Sequence, residues 1–175
     1  LHRGVLALGR KLAPATSLID RLPEQALVIA GCGISNHDNA GSMFRNAAAF
    51  KADAIFLDET SCDPLYRKAL RVSVGSVLSV PYERSGSALD LLGGLADRGF
   101  DIWTLSPRGE VDIRDIPASP RMALVAGTEG EGLPAAILSR FRSARIPQSE
   151  GLDSLNVATA TGIARIIAYA DGRWW

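Results

Sequence analysis

The chain has 175 residues, 47% of them hydrophobic, and its 19 basic and 19 acidic side chains leave no net charge. That length makes one domain with a substantial core, and no apolar run approaches the ~20 residues of a membrane span. Balanced charge gives no electrostatic argument for nucleic acid, while Cys32 and Cys62, far apart and without a CxxC partner, argue against a disulfide framework or cysteine metal site and fit a reducing cytoplasm.

The chain starts Leu1-His2-Arg3-Gly4, with no methionine and no signal-peptide pattern, which suggests a processed or truncated product of a longer parent. Residues 1–25 are interrupted by Pro14 and Pro23, and a short helix over 5–12 followed by a connector is expected there. Ala26-Leu27-Val28-Ile29-Ala30 is a short apolar run ending in Gly31-Cys32-Gly33, the pattern of a buried strand and its turn. A helix is expected over 40–50, capped by Asp38 or Asn39, with Met43, Phe44 and Ala47 on its apolar face. Ala54-Ile55-Phe56-Leu57 is the second strand, and Pro64 is placed to start a short helix reaching Ala69 or Leu70. Ser76-Val77-Leu78-Ser79-Val80-Pro81 reads as the third strand. A helix over 87–98, ended by Gly99, leads to a fourth strand over 100–105. Residues 106–121 carry Pro107, Gly109, Pro117 and Pro120 and form a loop with a small extended piece over 111–113. Met122-Ala123-Leu124-Val125-Ala126 is the fifth strand, and it opens into a glycine-rich turn at 127–132. A short helix over 134–139 and a sixth strand over 143–146 precede the last helix, 155–169, which Asp153 or Ser154 is placed to cap. Strands alternating with helices make this an α/β domain, with a mostly parallel sheet covered by helices on both faces.

Little enzyme chemistry is legible from local spacing. Gly31-Cys32-Gly33 matches only the first half of GxGxxG, because Asn36 stands at the third glycine position. An oxidoreductase on a dinucleotide-binding sheet is therefore disfavoured. No GxSxG, P-loop or carboxylate pair at catalytic spacing is present, and His2 and His37 are lone. Glycines after a buried strand let the backbone approach a ligand closely, although a plain surface turn has the same composition. Asn39 and Arg45 are six residues apart and do not share a helix face closely. An arginine in the second turn of a helix holds a phosphate or is simply a solvated cation.

Three stretches change that reading when taken in order: Asn39-Ala40-Gly41-Ser42-Met43-Phe44-Arg45, then Ala126-Gly127-Thr128-Glu129-Gly130-Glu131-Gly132-Leu133-Pro134, then Ile146-Pro147-Gln148-Ser149-Glu150-Gly151-Leu152-Asp153-Ser154-Leu155-Asn156-Val157. Together they resemble the signature of the SpoU/TrmH family of RNA ribose 2′-O-methyltransferases, in the SPOUT superfamily. The likeness continues through Arg45-Asn46-Ala47-Ala48-Ala49-Phe50, Cys62-Asp63-Pro64-Leu65-Tyr66 and Arg71-Val72-Ser73-Val74-Gly75, and spans roughly residues 27–169. Gln148 and Lys51 depart from it, standing where methionine and glycine are common.

The resemblance implies a SPOUT fold with a C-terminal trefoil knot, a rare exception among otherwise unknotted chains. It implies S-adenosylmethionine bound in that knot near Leu124, Ala126, Gly127, Glu129, Gly132, Ile146 and Leu155. Asn39, Arg45, Glu129, Ser154 and Asn156 match the family's polar active-site positions. The implied substrate is structured tRNA or rRNA, and the implied assembly a homodimer with the site near the subunit interface. Residues 26–175 would form the methyltransferase domain, and residues 1–25 a connector left from an RNA-binding domain. Arg45 would act either as a base of perturbed pKa or by holding the phosphate next to the reacting hydroxyl, and arginine's persistent charge favours the second. A non-catalytic knotted RNA-binding or assembly factor is the alternative, and the presence of all five polar positions counts against it.

Overall fold

Two strands without a polar face set the centre of the sheet. β1 (Ala26–Gly31) is buried at every position, and β6 (Arg121–Ala126) at every position after its first, as strands covered on both faces must be. The structure, a computed structural model, describes residues 9, 16–128, 130–149, 151 and 154–170. Apart from Gly9, the helix expected over 5–12 lies outside these residues, and so do parts of the stretches that would form the knot.

Around that centre the remaining strands are β2 (Ala54–Leu57), β3 (Tyr82–Arg84), β4 (Asp101–Leu105), β5 (Val111–Asp112) and β7 (Arg142–Arg145). The seven-stranded sheet has the order β3-β2-β1-β6-β4-β7-β5, and every pairing in it is parallel. Side chains alternate across it with the period of two that a pleated strand imposes. Val28, Ala30, Ala123, Val125 and Ile102 face one way and pack on Leu92 and Leu95 of α3 (Ala88–Asp97) and Ile137 of α4 (Ala135–Leu138). Ile29, Ile55 and Leu57 face the other way, against Met43, Phe44 and Ala47 of α1 (His37–Ala49) and Val157 and Ala158 of α5 (Val157–Ala170). Leu27, Trp103, Met122 and Leu124 continue that second layer to Ala164 of α5. The segment before β1 joins the first layer through Leu18 and Ile19, and the Leu18 amide donates to the Glu83 carboxylate at 2.7 Å.

The strand expected over 76–81 is instead a short 3-10 turn, Ser76–Leu78, and the strand begins after the proline. Val77 and Val80 are buried three residues apart while Leu78 is 75% exposed, a spacing that suits a three-residue turn and not a pleat. Pro81, which has no amide to give a ladder, precedes β3 and accepts from the Ile55 amide at 3.0 Å. The first long helix starts earlier than expected, because Asn36 caps it by accepting from the Asp38 amide at 2.8 Å. The short helix expected from Pro64 starts later, as α2 (Arg67–Val72), and β7 starts and ends one residue before the expected strand. Gly41 lets α1 approach α2 closely: a Cβ there would stand 2.7 Å from the Ala69 carbonyl oxygen.

The sheet order fixes where a ligand can sit. β6, β4 and β7 are neighbours, so the loops leaving their carboxyl ends meet at one edge, where open parallel sheets bind ligands.

Candidate functional site

Those three loops enclose a cleft of about 480 Å³, within the range of small-molecule sites. Residues 105–108 after β4 form one wall, residues 126–133 after β6 the second, and residues 146–155 with the start of α5 the third, as far as these are described. Leu105, Leu133, Leu138, Ile146 and Val157 make much of the lining apolar, while Arg108, Thr128, Glu131, Gln148 and Ser154 supply polar groups.

The glycine-rich wall is shaped by its own backbone. Thr128 bridges Gly132 in an antiparallel pair, and the Thr128 hydroxyl donates to the Gly132 carbonyl at 3.1 Å. A Cβ at Gly127 would stand 2.6 Å from the Gly132 carbonyl carbon and 2.7 Å from the Leu133 nitrogen, so only glycine fits where the turn closes on itself. The turn rests on the loop after β1, where Gly33, at φ +70°, leaves room for the Thr128 methyl. Asp58 holds that lower loop. The residue is 4% exposed, and its carboxylate accepts from the Gly33 amide at 2.9 Å, the Thr60 hydroxyl at 2.7 Å, and the Ser61 amide and hydroxyl at 3.0 and 2.6 Å. A buried carboxylate so surrounded by donors is fully compensated.

Beside the cleft, Asn156 joins two helices. Its Nδ2 donates to Asn39 Oδ1 at 2.8 Å, and its own Oδ1 accepts from the Ala158 and Thr159 amides at 3.0 and 3.3 Å. Asn156 is therefore the cap of α5, the role expected of Asp153 or Ser154; Asp153 lies outside the described residues, and Ser154 lines the cleft. Asn39, only 6% exposed, is not a cap either. It sits in the first turn of α1 with its side chain on Asn156. Further along α1, Asn46 donates to the Ala158 carbonyl at 2.6 Å and lies against Gly162. α1 and α5 are thus locked side by side at the cleft.

Of the residues expected at a cofactor site, Ala126, Gly127, Gly132, Ile146 and Leu155 line the cleft, together with Ser154. Leu124 does not. It is fully buried in the middle of β6, two residues short of the edge where the cleft opens. Asn39 and Asn156 are brought together, but Arg45 is exposed on α1 and does not line the cleft of its own chain. Its side chain makes no hydrogen bond or ion pair with another described residue. Glu129 lies outside the described residues. The wall from β4, with Arg108, was not foreseen, because local sequence reports a strand's end without reporting its neighbours.

Neither cysteine is a reactive group here. Burial, and next the nearby Asp58 charge, push the Cys32 thiol up to about 12, and burial raises Cys62 as well. Among the described residues, no group of three or more His, Cys, Asp or Glu side chains is placed to hold a metal ion. No helix among them is long and apolar enough to cross a membrane.

Comparison with known proteins gives the chain a family and its fold solved counterparts. The model of the SpoU rRNA methylase family matches residues 26–166. A Mycobacterium bovis protein named as an uncharacterized tRNA/rRNA methyltransferase is 41% identical over 177 residues, covering 94% of this chain and 58% of its own length. A Synechocystis protein of the same description is 32% identical over 126 residues, covering 71% of this chain and 46% of its own. The chain therefore spans about half the length of these relatives. Among solved structures, an AdoMet-bound rRNA methyltransferase from Sinorhizobium meliloti superposes with a TM-score of 0.81 at 30% identity, over 89% of this chain and 60% of that one. Another, concerned with 2-OH methylation of C/U34 on tRNA, superposes with a TM-score of 0.76 at 28% identity, over 84% of this chain and 96% of that one.

Proposed function

The chain belongs to the SpoU rRNA methylase family, and from that premise we propose that it transfers a methyl group from S-adenosylmethionine to a ribose 2′-hydroxyl of tRNA or rRNA. The observation that carries the reading is the cleft at the carboxyl ends of β6, β4 and β7, walled by the glycine-rich turn and by the stretch leading into α5.

The residues present fit the cofactor. The apolar walls at Leu105, Leu133 and Ile146 would take its flat base, with the close backbone at Gly127 and Gly132 beside them. Arg108 and Glu131 supply opposite charges for the carboxylate and ammonium of an amino-acid end. When bound, S-adenosylmethionine provides an electrophilic methyl on a sulfonium. What the chain contributes is placement, since an in-line transfer is governed by how two reactants are held. Asn156 and Asn39 fix the helix starts beside the cleft, and Ser154 presents a hydroxyl into it. Arg45, exposed and without a partner among the described residues, suits the role of holding a substrate phosphate. A homodimer belongs to the same reading. Ile166 on α5 is 45% exposed, and Arg45 lies off its own cleft, as a site completed by a second copy requires. The enzyme would meet its RNA in the cytoplasm.

The test uses the complete protein with labelled S-adenosylmethionine and unmodified tRNA and rRNA, followed by mapping of the labelled nucleotide. Label on a ribose 2′-oxygen is expected. Label on a base, or none on either RNA, sinks the reading.

A further inference from the structure

Helix α2 has six residues; Ala69, Leu70 and Val72 turn to α1 and the core, while Arg67, Lys68 and Arg71 are exposed. Arg67 and Arg71 stand one turn apart on this helix, a like-charge pairing that costs helix stability. Neither has an ion pair with an acidic residue among the described residues. Lys68 differs from them, because Asp38 of α1 neutralises it at 2.8 Å. Tyr66, which precedes the helix, is 48% exposed and lays its ring against His37 with centroids 4.5 Å apart. Tyr66, Arg67, Lys68 and Arg71 line a shallow concavity of about 470 Å³. An exposed ring beside two unneutralised guanidinium groups is the combination that holds a single strand, the ring stacking a base and the cations taking phosphates. The surface also leads to the cleft. His37, which supports Tyr66, is the first residue of α1, and two residues later Asn39 is bonded to Asn156 beside Ser154 and Leu155.

We propose that Tyr66, Arg67 and Arg71 form an RNA-binding surface, which takes an unpaired stretch of the substrate, stacks a base on Tyr66 and guides the adjoining strand to the cleft. This rests on the RNA-methylation reading and names where that substrate is held outside the reacting centre.

The experiment measures methyl transfer to unmodified tRNA and rRNA by the complete protein at several salt concentrations, for the unaltered enzyme, Tyr66→Ala, Tyr66→Phe and Arg67→Glu/Arg71→Glu. Tyr66→Ala should raise KM for RNA about tenfold, and Tyr66→Phe should restore it, since stacking needs the ring and not the hydroxyl. The double charge reversal should raise KM further and flatten the salt dependence by about 0.7 for each phosphate the surface no longer neutralises. Unfolding midpoint, kcat at saturating RNA and S-adenosylmethionine affinity should stay within about twofold, which separates weakened RNA binding from a damaged fold. Unchanged KM and salt dependence in active variants would overturn the proposal while leaving the methylation reading intact. Unchanged KM with loss of dimer mass in light scattering would assign the surface to association between copies, and would overturn it too. No methylation by the unaltered enzyme would remove both.

Discussion

Arg45 separates what the cleft does from what the substrate needs. It is exposed, off the cleft, and free of ionic partners among the described residues, so its proposed work is on RNA. Arg45→Ala should then lower turnover by about 10²–10³, by analogy with a deleted transition-state donor, while S-adenosylmethionine affinity stays within a few-fold. Arg45→Lys should rescue poorly, because a point charge lacks the planar fork. Methyl incorporation measured beside cofactor titration checks both, and a parallel loss of affinity and activity would contradict the assigned role. Cys32 gives a pH prediction. Burial holds its thiol neutral and raises it from 9.0 to about 12, so the folded state keeps a proton that the unfolded state releases. This contribution to stability is fully present below pH 9 and is lost as pH rises from there towards 12. Between pH 7 and about pH 10.5, the urea midpoint should therefore fall further for the natural protein than for Cys32→Ala. Equal falls would show that Cys32 is not the group responsible.

The glycine-rich turn contains two glycines that a sequence treats alike and the structure does not. At Gly127 a Cβ would collide with the backbone of Gly132 and Leu133, whereas at Gly130 nothing stands within 4 Å and only the φ of +94° resists a side chain. Gly127→Ala should weaken cofactor binding more than about tenfold by forcing the turn open. Gly130→Ala should cost about 1–2 kcal/mol of local strain with little change in affinity. Calorimetry on the two variants decides it, and equal affinities would mean that the turn does not shape the pocket. The same contrast explains how much could be read beforehand. β1, β2, β4 and β6 were legible because doubly covered strands are short apolar runs, and the motif residues Ser154 and Asn156 fell at the cleft and its edge. The helix caps were missed where several short polar residues stood together, as in Ser35-Asn36-His37-Asp38-Asn39, since each can accept an amide and only the backbone path chooses among them. The 3-10 turn at Ser76–Leu78 was missed because an apolar run ending in proline has the composition of a strand whether or not it is pleated. Arg108 was missed for a different reason: its place beside the glycine-rich turn depends on β4 lying between β6 and β7, which no local pattern encodes.

For the molecule as a whole, ligand and fold are linked. If the cleft takes S-adenosylmethionine, a concentration of about 100 times Kd adds about 2.7 kcal/mol to stability, which for a chain of this size raises Tm by about 5–10 °C. A melting curve indifferent to both S-adenosylmethionine and S-adenosylhomocysteine would count against the pocket. The strand order has a further consequence, for birth and not for binding. β6 lies between β1 and β4, and β7 between β4 and β5, so the chain's late strands fill gaps left by its early ones. A nascent chain that has emerged only as far as Pro120 holds β3, β2 and β1 as one fragment, and β4 has neither of its neighbours. The gaps inside the sheet are thus filled last, and a ribosome making this protein carries the inner edge of β1 and both edges of β4 open until β6 arrives. Such an intermediate would depend on protection from chaperones. Stalled chains whose emerged part ends at Pro120 should be cut readily by protease, and stalled chains with the whole domain outside the exit tunnel should resist.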